Sequence, residues 1–309
     1  MRDNRAQRPH PPTLSRRARV LRALARLTLT LFLLGGTGLL WYTRRPQPKP
    51  TPTLPLYRGI DYRRVVRQSP RALVVHILTI DLRAPGLEFL VTPGDPKADR
   101  PLRGSATSAF LREHGVQVAI NGDFFYPWRS NHPLDYYPRV GDPVSVEGDA
   151  VSRGVRYAAR NPGRGLSTLY FTRDNHVSID AKPRAVFNAI GGHRLPLDRK
   201  AKPGDGSGVR HPRTAVGLSA DRNTMYVVLV DGRQPNYSEG VTISELADLF
   251  RSLGATSAIN LDGGGSTALV VANKKGKPVV RNSPIDHRIP GRERVVANHL
   301  GIYARPLPD

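Results

Sequence analysis

Four short stretches of the sequence combine polar side chains with glycines in the manner of ligand-binding loops. The clearest is LDGGGS at 261–266, which follows an apolar run and contains Asp262. Asn260 lies two residues earlier, and strand side chains alternate with a period of two, so both polar groups would share one side of a strand. The three successive glycines permit close backbone approach to a ligand, and their N–H groups predict an anion-binding nest. A simple hairpin turn needs fewer glycines, so this stretch favours a functional site.

Two further stretches supply guanidinium groups. Arg213 enters a predicted strand after a proline, and Arg233 follows the turn dipeptide at 231–232. A planar guanidinium can grip a phosphate or a carboxylate with two hydrogen bonds, which the point charge of a lysine cannot do. Taken singly, Arg213 also fits a surface position beside a strand, and 231–232 also fits an ordinary hairpin turn.

Ser238 and Glu239 come shortly before a predicted helix. Thr242 and Glu245 have the spacing of a capping box, which marks the start of that helix. The first N–H groups of a helix have no partner within it and attract anions. The loop is therefore predicted to bring Ser238 and Glu239 close to Arg233.

The last stretch, NGDFF at 121–125, follows a predicted strand. Asn121 and Asp123 would place an amide and a carboxylate beside two aromatic rings, and the intervening glycine lets the chain turn sharply. An ordinary Asn-Gly turn is the alternative for this stretch.

The elements that would position these residues are mostly strands. Apolar residues alternate with polar ones or form short runs between turns rich in Gly and Pro, of which the chain has 29 and 28. This pattern predicts an α+β fold, with a mixed, largely antiparallel twisted sheet and a few packing helices. The predicted strands are 72–82 paired with 86–92, 116–121, 169–179, 185–190, 214–218 paired with 224–231, 257–262, 266–272 paired with 277–281, and 294–303. Helices are predicted at 107–114 and from 243 to Gly254, and 127–165 is expected to be irregular.

A separate region precedes this domain. Residues 1–26 contain eight Arg and one Asp, whereas residues 27–42 contain no charged side chain. A helix over 27–42 would span about 24 Å, slightly less than the ~30 Å hydrocarbon core of a bilayer. Because basic residues stay on the cytoplasmic side, we expect a basic cytoplasmic tail at 1–26, a single-pass inner-membrane anchor at 27–42 and an extracytoplasmic domain. A cleaved signal peptide is the alternative.

Composition adds three limits. The five prolines of 43–56 predict a semi-rigid spacer, which leaves 57–309 as the folded domain. The net charge of +22 favours anionic partners such as nucleic acid, a membrane surface or a phosphate-bearing glycan, although solubility alone also accounts for it. The lack of cysteine excludes disulfides and thiolate metal sites, and the lack of a GxxxxGK[ST] motif excludes nucleotide binding by a P-loop.

Together the four stretches resemble the phosphodiester glycosidase family. That family includes a lysosomal enzyme that removes N-acetylglucosamine from a sugar phosphodiester, and bacterial proteins associated with the envelope or with exopolysaccharide. The resemblance covers roughly residues 70–305. The matching segments are AINGDFF (119–125), RHPRTAVGL (210–218), VDGR (230–233), SEGVT (238–242), ISELADLFRSLGA (243–255), INLDGGGSTAL (259–269) and RVVANHLGIY (294–303).

The resemblance implies hydrolysis of a sugar-1-phosphodiester at its C1–O bond. Together with the N-terminal anchor, it predicts a membrane-anchored extracytoplasmic enzyme that acts on an envelope or exopolysaccharide-related glycan. No cofactor is expected to be required, with a divalent cation as the alternative. A phosphomonoester is a good leaving group, so the site must stabilise the departing charge and place one carboxylate at C1. Asp262 is predicted to be the nucleophile or base, with Glu239 as the competing carboxylate. Burial at the end of the apolar strand tends to raise the pKa of Asp262, whereas the N–H groups of Gly263 to Gly265 and nearby arginine lower it. A nucleophile or base must be ionised, so the lowering influences are expected to win. The residues predicted to bind substrate or phosphate are Arg213, Arg233, Asn121, Asp123, Asn260, Ser238, Gly263, Gly264 and Gly265.

Two other functions fit the sequence. A metal-dependent phosphodiesterase would cleave P–O and bind a divalent cation through Asp123, Asp231, Asp262 and several histidines, although no HxH or HExxH motif is present. A non-catalytic envelope protein that binds glycans would use the same basic surface. Nucleic-acid binding is not expected, because an exported domain rarely meets nucleic acid and no basic-aromatic motif occurs.

Overall fold

The structure, a computed structural model, describes residues 15–132, 134–160, 165–198 and 208–308. The chain divides into two units, Met1–Arg45 and Pro46–Asp309. The helices are α1 (Arg16–Arg44), α2 (Thr107–His114) and α3 (Ile243–Ser252). The strands are β1 (Thr51–Tyr57), β2 (Ile60–Arg67), β3 (Leu73–Asp81), β4 (Glu88–Val91), β5 (Leu102–Arg103), β6 (Val118–Asn121), β7 (Phe125–Tyr126), β8 (Arg129–His132), β9 (Asp135–Tyr137), β10 (Pro143–Val146), β11 (Ala150–Ser152), β12 (Val155–Ala158), β13 (Ser167–Phe171), β14 (Val177–Ile179), β15 (Asn188–Arg194), β16 (Arg213–Ser219), β17 (Thr224–Val230), β18 (Ala255–Asn260), β19 (Leu269–Ala272), β20 (Pro278–Val280) and β21 (His299–Tyr303).

The first unit is described from Ser15 onward and consists of α1. The hydroxyl oxygen of Ser15 caps the helix by accepting a hydrogen bond from Ala18 N at 3.2 Å. The helix starts well before the predicted span at 27–42, because the arginine-rich stretch before that span also favours a helix. Within it, Arg16–Gly38 is long and apolar enough to cross a membrane, and its side chains are mostly exposed. A membrane anchor and a signal sequence both have this form.

Two sheets form the framework of the second unit. The larger has the strand order β1-β2-β3-β17-β16-β18-β15-β11-β12, with β13 and β14 added beside β15. The smaller has the order β20-β19-β6-β21-β4, and two small sheets consist of β5-β10-β7 and β8-β9. All ladders between the described strands are antiparallel, which confirms the predicted α+β fold with a largely antiparallel sheet.

Alternation of side chains along the central strands builds a layered domain. In β17, Val227 packs in the core between the two sheets, whereas Val228 packs in the core beneath α3. In β6, Ile120 faces the same central core, and Ala119 packs with Phe110 of α2. The layers are therefore α3, the larger sheet, the smaller sheet and α2. Central strands are buried on both faces, which explains why they read as continuous apolar runs.

Local sequence signals set the boundaries of α2 and α3. Gly115 ends α2 in the left-handed conformation, with φ 65°. Thr242 Oγ1 accepts from Glu245 N at 3.1 Å, and Glu245 Oε2 accepts from Thr242 N at 2.9 Å. The predicted capping box is confirmed, and it places the start of α3 next to the loop that carries Arg233.

Three predictions about strands are wrong. The segment 169–179 is not one strand, since β13 and β14 pair with each other across the turn between them. The segments 72–82 and 86–92 do not pair with each other, since β3 lies between β2 and β17 in the larger sheet while β4 pairs with β21 in the smaller one. The turn between them carries the chain from one sheet to the other. The stretch 127–165, expected to be irregular, contains β8 to β12.

The proline-rich segment 43–56 is not a spacer over its whole length. Its second half forms β1, which pairs with β2 at the edge of the larger sheet. An edge strand tolerates proline because one side needs no ladder hydrogen bonds. Before β1, Gln47 Nε2 donates to the carbonyls of Arg67 and Tyr237 at 2.9 and 2.8 Å. The folded domain therefore begins about ten residues before the predicted boundary at 57.

Candidate active site

Several of the predicted residues meet where the ends of the two sheets come together. In the larger sheet, β16 begins at the edge where β17 and β18 end, because the strands are antiparallel and Arg213 pairs with Val230. In the smaller sheet, β6 ends beside them, and Asp262 N donates to Gly122 O at 3.0 Å. This contact joins the two strand ends at Asp262.

An open pocket of about 330 Å³ lies at this point. A cavity of this volume is at the lower end of the range for small-molecule sites. Its lining combines three guanidinium groups, two carboxyl groups, an imidazole, an aromatic wall and two glycines. The lining residues are Arg213, Arg233, Arg294, Asp262, Glu147, His211, Phe124, Phe125, Trp128, Gly263 and Gly264.

Asp262 lines the pocket just beyond the end of β18. Its Oδ1 accepts from Gly263 N at 2.8 Å, and its carbonyl accepts from Asn121 Nδ2 at 2.6 Å. Burial raises the pKa of Asp262, against the opposing influences of Ser266, Arg294 and the Gly263 N–H. The prediction of a lowered pKa is therefore wrong, because loss of solvent outweighs the nearby donors and charges.

Arg213 and Arg233 both reach the pocket, as predicted. Arg213 is held by backbone carbonyls, since Nε donates to Val241 O at 3.3 Å and Nη2 donates to Val209 O at 3.2 Å. Burial, followed by the charge of Arg233, lowers the pKa of Arg213, but a guanidinium stays protonated at neutral pH. Partly desolvated cations of this kind attract an anion more strongly than cations in water do.

His211 is a pocket residue to which the sequence assigned no role. Its Nδ1 accepts hydrogen bonds from Arg233 Nη2 at 3.0 Å and Arg233 Nε at 3.2 Å. An accepting Nδ1 places the proton of the neutral ring on Nε2. Burial, together with Arg233 and Arg213, lowers the pKa of His211. The ring is therefore a neutral donor that can bind a ligand oxygen through Nε2.

The glycines at 263–265 allow guanidinium groups to lie against the loop. A Cβ on Gly264 would lie 3.0 Å from Arg233 Nη1, and the φ of Gly264 is +60°. A Cβ on Gly265 would lie 2.4 Å from Arg294 Nη2. The sequence predicted close approach of a ligand to these glycines, whereas the groups that lie against Gly264 and Gly265 are arginines of the protein.

The predicted anion nest differs from the observed hydrogen bonding. Gly263 N donates to Asp262 Oδ1, and Gly264 N donates to Pro212 O at 2.9 Å. Both N–H groups are thus used within the protein. The cations around the pocket, and not these two amides, are placed to meet an anion.

Glu147, Arg294 and Trp128 line the pocket but were not predicted. Glu147 follows β10, whose sequence alternates apolar and polar residues at Val144, Ser145 and Val146, a usable signal within the stretch expected to be irregular. Its N–H donates to Phe124 O at 2.9 Å, which fixes it beside the aromatic wall. Arg294 is the first residue of the matching segment RVVANHLGIY, but no feature of the sequence assigns its guanidinium to the site.

Asn121 does not line the pocket but holds neighbouring segments of the site in place through its side-chain hydrogen bonds. Besides donating to Asp262 O, it accepts at Oδ1 from Thr214 Oγ1 at 2.7 Å and from Ala268 N at 3.2 Å. Asn260 is also buried and outside the lining, and its Oδ1 has no hydrogen-bond partner among the described residues. Both were predicted to bind substrate or phosphate, whereas Asn121 holds the backbone of Asp262.

Ser238 and Glu239 do not reach the pocket, contrary to the prediction. Ser238 Oγ donates to Asp231 O at 2.6 Å and accepts from Val74 N at 3.0 Å, so this buried hydroxyl links two strands. The side chain of Glu239 is exposed and outside the lining, while its backbone N–H donates to Ala72 O. The loop brings only Arg233 inward, and Glu147 is the second carboxylate of the pocket.

Asp123 is a buried carboxyl next to the pocket wall. Its Oδ2 accepts from Gly148 N at 2.8 Å, and its Oδ1 has no hydrogen-bond partner among the described residues. Desolvation raises the pKa of Asp123 to about 8, and the charges of Asp262 and Glu147 act in the same direction. Asp123 is therefore expected to be protonated at neutral pH and to support the pocket without touching a ligand.

Replacing Asp123 by Asn is expected to flatten the pH dependence of stability. The carboxyl keeps its proton in the folded state up to about pH 8, whereas its ordinary pKa is 3.8, so stability falls as pH rises between these values. An Asn can keep the bond from Gly148 through its Oδ1 and place Nδ2 where Asp123 Oδ1 lies. Melting temperatures measured from pH 5 to pH 8.5 check this. Asp99→Asn, at an exposed aspartate, is the control, and parallel curves for Asp123→Asn and wild type would contradict the expectation.

The predicted cation ligands do not come together. Within the described parts of the chain, no three His, Asp or Glu side chains lie close enough to hold one metal ion. Asp231 is buried outside the pocket lining, and its carboxylate contacts His76 Nε2 at 3.2 Å and Ser283 N at 2.9 Å. The expectation that no cofactor is required stays a prediction, which turnover in the presence of a chelator can test.

Comparison with known proteins places this geometry in context. The sequence profile of the phosphodiester glycosidase family matches residues 114–303. An SPbeta prophage-derived uncharacterised protein of Bacillus subtilis, YomE, is 42% identical over a region that covers 61% of this chain and 33% of that protein. The chain thus spans about a third of the length of this relative.

Two solved structures share the fold. A hypothetical protein from Synechocystis has a TM-score of 0.56 and 16% identity, with 85% of this chain and 65% of that chain covered. The catalytic domain of zebrafish N-acetylglucosamine-1-phosphodiester α-N-acetylglucosaminidase, auto-inhibited by its pro-peptide, has a TM-score of 0.54 and 21% identity, with 85% and 93% covered. At these identities the likeness concerns the fold alone.

Proposed function

The chain belongs to the phosphodiester glycosidase family, and from this membership together with its pocket we propose that it hydrolyses a sugar-1-phosphodiester at the C1–O bond. Water and the phosphodiester give a free sugar and a phosphomonoester. The observation that carries the proposal is the convergence of Asp262 with Arg213, Arg233 and His211 in one pocket. A carboxyl beside several cationic or neutral donors matches a reaction in which a phosphate departs from an electron-poor carbon.

The phosphate is held by Arg213, Arg233 and His211 in this proposal. The two guanidinium groups neutralise the phosphodiester and the greater charge that develops as the C1–O bond breaks. His211 donates a further hydrogen bond through Nε2 and adds no charge. Because Arg233 contacts both His211 and the glycine loop, the three groups form one preorganised binding surface.

Asp262 provides the carboxylate that faces C1. The bond between C1 and the bridging oxygen breaks, and its electron pair leaves with the phosphomonoester. The oxygen of water becomes the C1 hydroxyl, and one of its protons goes to a carboxylate. A raised pKa makes the ionised form of Asp262 a stronger base. Retained configuration in the first sugar released, read by NMR, assigns Asp262 as nucleophile, and inverted configuration assigns it as base for water.

Glu147 is the second carboxylate, in the place that the sequence gave to Glu239. It lines the pocket beside the aromatic wall of Phe124, Phe125 and Trp128. Aromatic faces pack against the apolar faces of sugar rings, and a nearby carboxylate accepts hydrogen bonds from sugar hydroxyls. We therefore assign the wall and Glu147 to the sugar, and Arg213, Arg233 and His211 to the phosphate.

The proposed function is tested with the full chain in detergent micelles and a panel of sugar-1-phosphodiesters. N-acetylglucosamine is the first sugar to include, because the zebrafish enzyme of the same fold is named for it. We expect a free sugar and a phosphomonoester as products, with or without chelator. Release of an intact sugar 1-phosphate, or no turnover of any compound in the panel, would contradict the proposal.

We also propose that α1 anchors the protein in the cytoplasmic membrane, with its N-terminus in the cytoplasm and the pocket outside. The length and apolar character of Arg16–Gly38 and the arginines before and within α1 support this orientation. An alkaline phosphatase fused to the C-terminus is expected to be active. An inactive phosphatase fusion together with an active cytoplasmic reporter would overturn the orientation.

A further inference from the structure

Asp286 is the buried acid of a charged cluster that adjoins the pocket through Arg294. Its side chain is only 5% exposed. Its Oδ1 accepts from Arg294 Nε at 2.8 Å, its Oδ2 accepts from His287 Nδ1 at 2.7 Å, and Arg292 Nε lies 3.6 Å from Oδ2. Both oxygens are thus used within the protein, so Asp286 is not placed to touch a ligand itself.

Arg294 is the member of this cluster that lines the pocket, and it is held on several sides. Its Nη1 donates to Ser266 Oγ at 3.4 Å, and its guanidinium lies 5.1 Å from the centre of the Trp128 ring. Gly265 leaves room for it, since a Cβ there would lie 2.4 Å from Arg294 Nη2. A guanidinium fixed in this way can stabilise a developing charge without first reorganising.

We propose that Asp286 is a positioning residue that fixes Arg294 as a third cation of the site, where Arg294 binds the phosphate as it departs. This inference rests on the proposed function, since it names a further pair of residues for the same reaction. It differs from a purely structural role because the effect of Asp286 passes through Arg294 to the ligand and to Asp262.

The same contact links Asp286 to the ionisation of Asp262. The positive charge of Arg294 lowers the pKa of Asp262, although burial has the larger and opposite effect. If Asp286→Asn releases Arg294, the pKa of Asp262 rises further. The pKa of Asp262 also depends on Arg233, Ser266 and the Gly263 N–H, and Asp123 lies nearby. The remaining ionisable groups of the pocket are Glu147, His211 and Arg213.

Tryptophan emission tests the placement of Arg294 without any substrate. The chain contains two tryptophans, Trp41 and Trp128, so a Trp41→Phe background leaves Trp128 as the single reporter. Asp286→Asn and Arg294→Ala are both expected to shift its emission to longer wavelength, because the ring loses its guanidinium cover and meets more water. The matched control is Asp180→Asn, which removes a carboxylate 3.1 Å from Arg194 and should leave the emission unchanged.

Inorganic phosphate and the pH profile test the role of Arg294 in the site. Asp286→Asn is expected to weaken phosphate binding about tenfold and to lower kcat/KM about 10- to 100-fold, as misplacement of a contacting group does. The limb of the pH profile that reports Asp262 should move to higher pH. Asp180→Asn should alter none of these quantities.

Wild-type emission, phosphate affinity and pH profile in a folded Asp286→Asn variant would overturn the proposal. If that variant does not fold, Arg294→Ala decides, because it leaves Asp286 paired with His287 and Arg292. Wild-type values in Arg294→Ala would overturn it equally. If no sugar phosphodiester is hydrolysed at all, the proposed function fails, and the emission and phosphate measurements still decide whether Asp286 positions Arg294 at an anion site.

Discussion

Replacing Asp262 by Asn is expected to lower kcat/KM by at least about 10³-fold while the protein stays folded, a loss typical of a key catalytic group. The amide keeps the shape of the side chain, and its oxygen can still accept from Gly263 N. It removes the charge that attacks C1 or takes the proton of water. The melting temperature should stay within a few degrees of wild type or rise, since burial disfavours the ionised carboxyl at this position.

Glu239→Gln is the matched control for Asp262→Asn. The side chain of Glu239 is exposed and outside the pocket lining, so its loss is expected to leave kcat/KM near the wild-type value. Near-normal turnover in Asp262→Asn would remove Asp262 from the reaction and leave Glu147 as the catalytic carboxylate. Unfolding of Asp262→Asn would instead indicate a structural turn residue.

Replacing Arg213 by Lys is expected to reduce transition-state stabilisation by about 2–3 kcal/mol, or roughly 30- to 160-fold in kcat/KM, in the range of charge-assisted hydrogen bonds. Arg213 donates to two backbone carbonyls and lines the pocket at the same time. A lysine ammonium cannot serve these carbonyls and a phosphate together, because it lacks the planar fork. Steady-state kinetics on the best substrate of the panel measure the loss.

Arg194→Lys controls for the general effect of exchanging an arginine. Arg194 pairs with Asp180 on the surface, and its side chain is 54% exposed. This change is expected to leave kcat/KM unchanged, because an exposed pair contributes little. If Arg213→Lys also leaves kcat/KM unchanged, Arg213 does not hold the phosphate, and Arg233 with Arg294 must do so.

Elements with local determinants were predictable from the sequence, and elements chosen by tertiary context were not. The capping box at Thr242 and Glu245 and the hairpin of β16 and β17 are encoded within a few residues. The partners of β3 and β4 are not, because each strand pairs with a segment far away in sequence. Similarly, β1 is proline-rich and becomes a strand only because β2 offers it an edge position.

The residues of the candidate site also divide into those that local sequence patterns predicted and those that only tertiary contacts position. Arg213, Arg233 and Asp262 were predictable because each flanks a strand end, and antiparallel pairing brings those ends together. Glu147 lies in a stretch whose short strands were missed, and Arg294 is held by contacts with Asp286, Ser266 and Trp128. Ser266 and Trp128 are distant from Arg294 in sequence, so no local pattern marks these contacts.

The direction in which the pKa of Asp262 is shifted was not predictable from residue types alone. The glycine N–H and the arginines beside Asp262 were predictable, and both act to lower its pKa, against the larger effect of burial. The depth of burial was not predictable from the sequence, and burial is the larger influence. The three glycines likewise indicated a close approach, but not that arginine side chains of the protein occupy the space.

The position of ¹⁸O after hydrolysis in H₂¹⁸O shows directly whether the enzyme cleaves the C1–O bond. A sugar-1-phosphodiester gives the same sugar and phosphomonoester whether the C1–O bond or the adjacent P–O bond breaks, so product identity alone does not distinguish them. The phosphomonoester does not exchange its oxygens with water on this time scale, and mass spectrometry reads its label. We predict a phosphomonoester that carries no ¹⁸O, because water attacks C1. A phosphomonoester that has gained one ¹⁸O would show attack of water at phosphorus and would rule out cleavage of the C1–O bond.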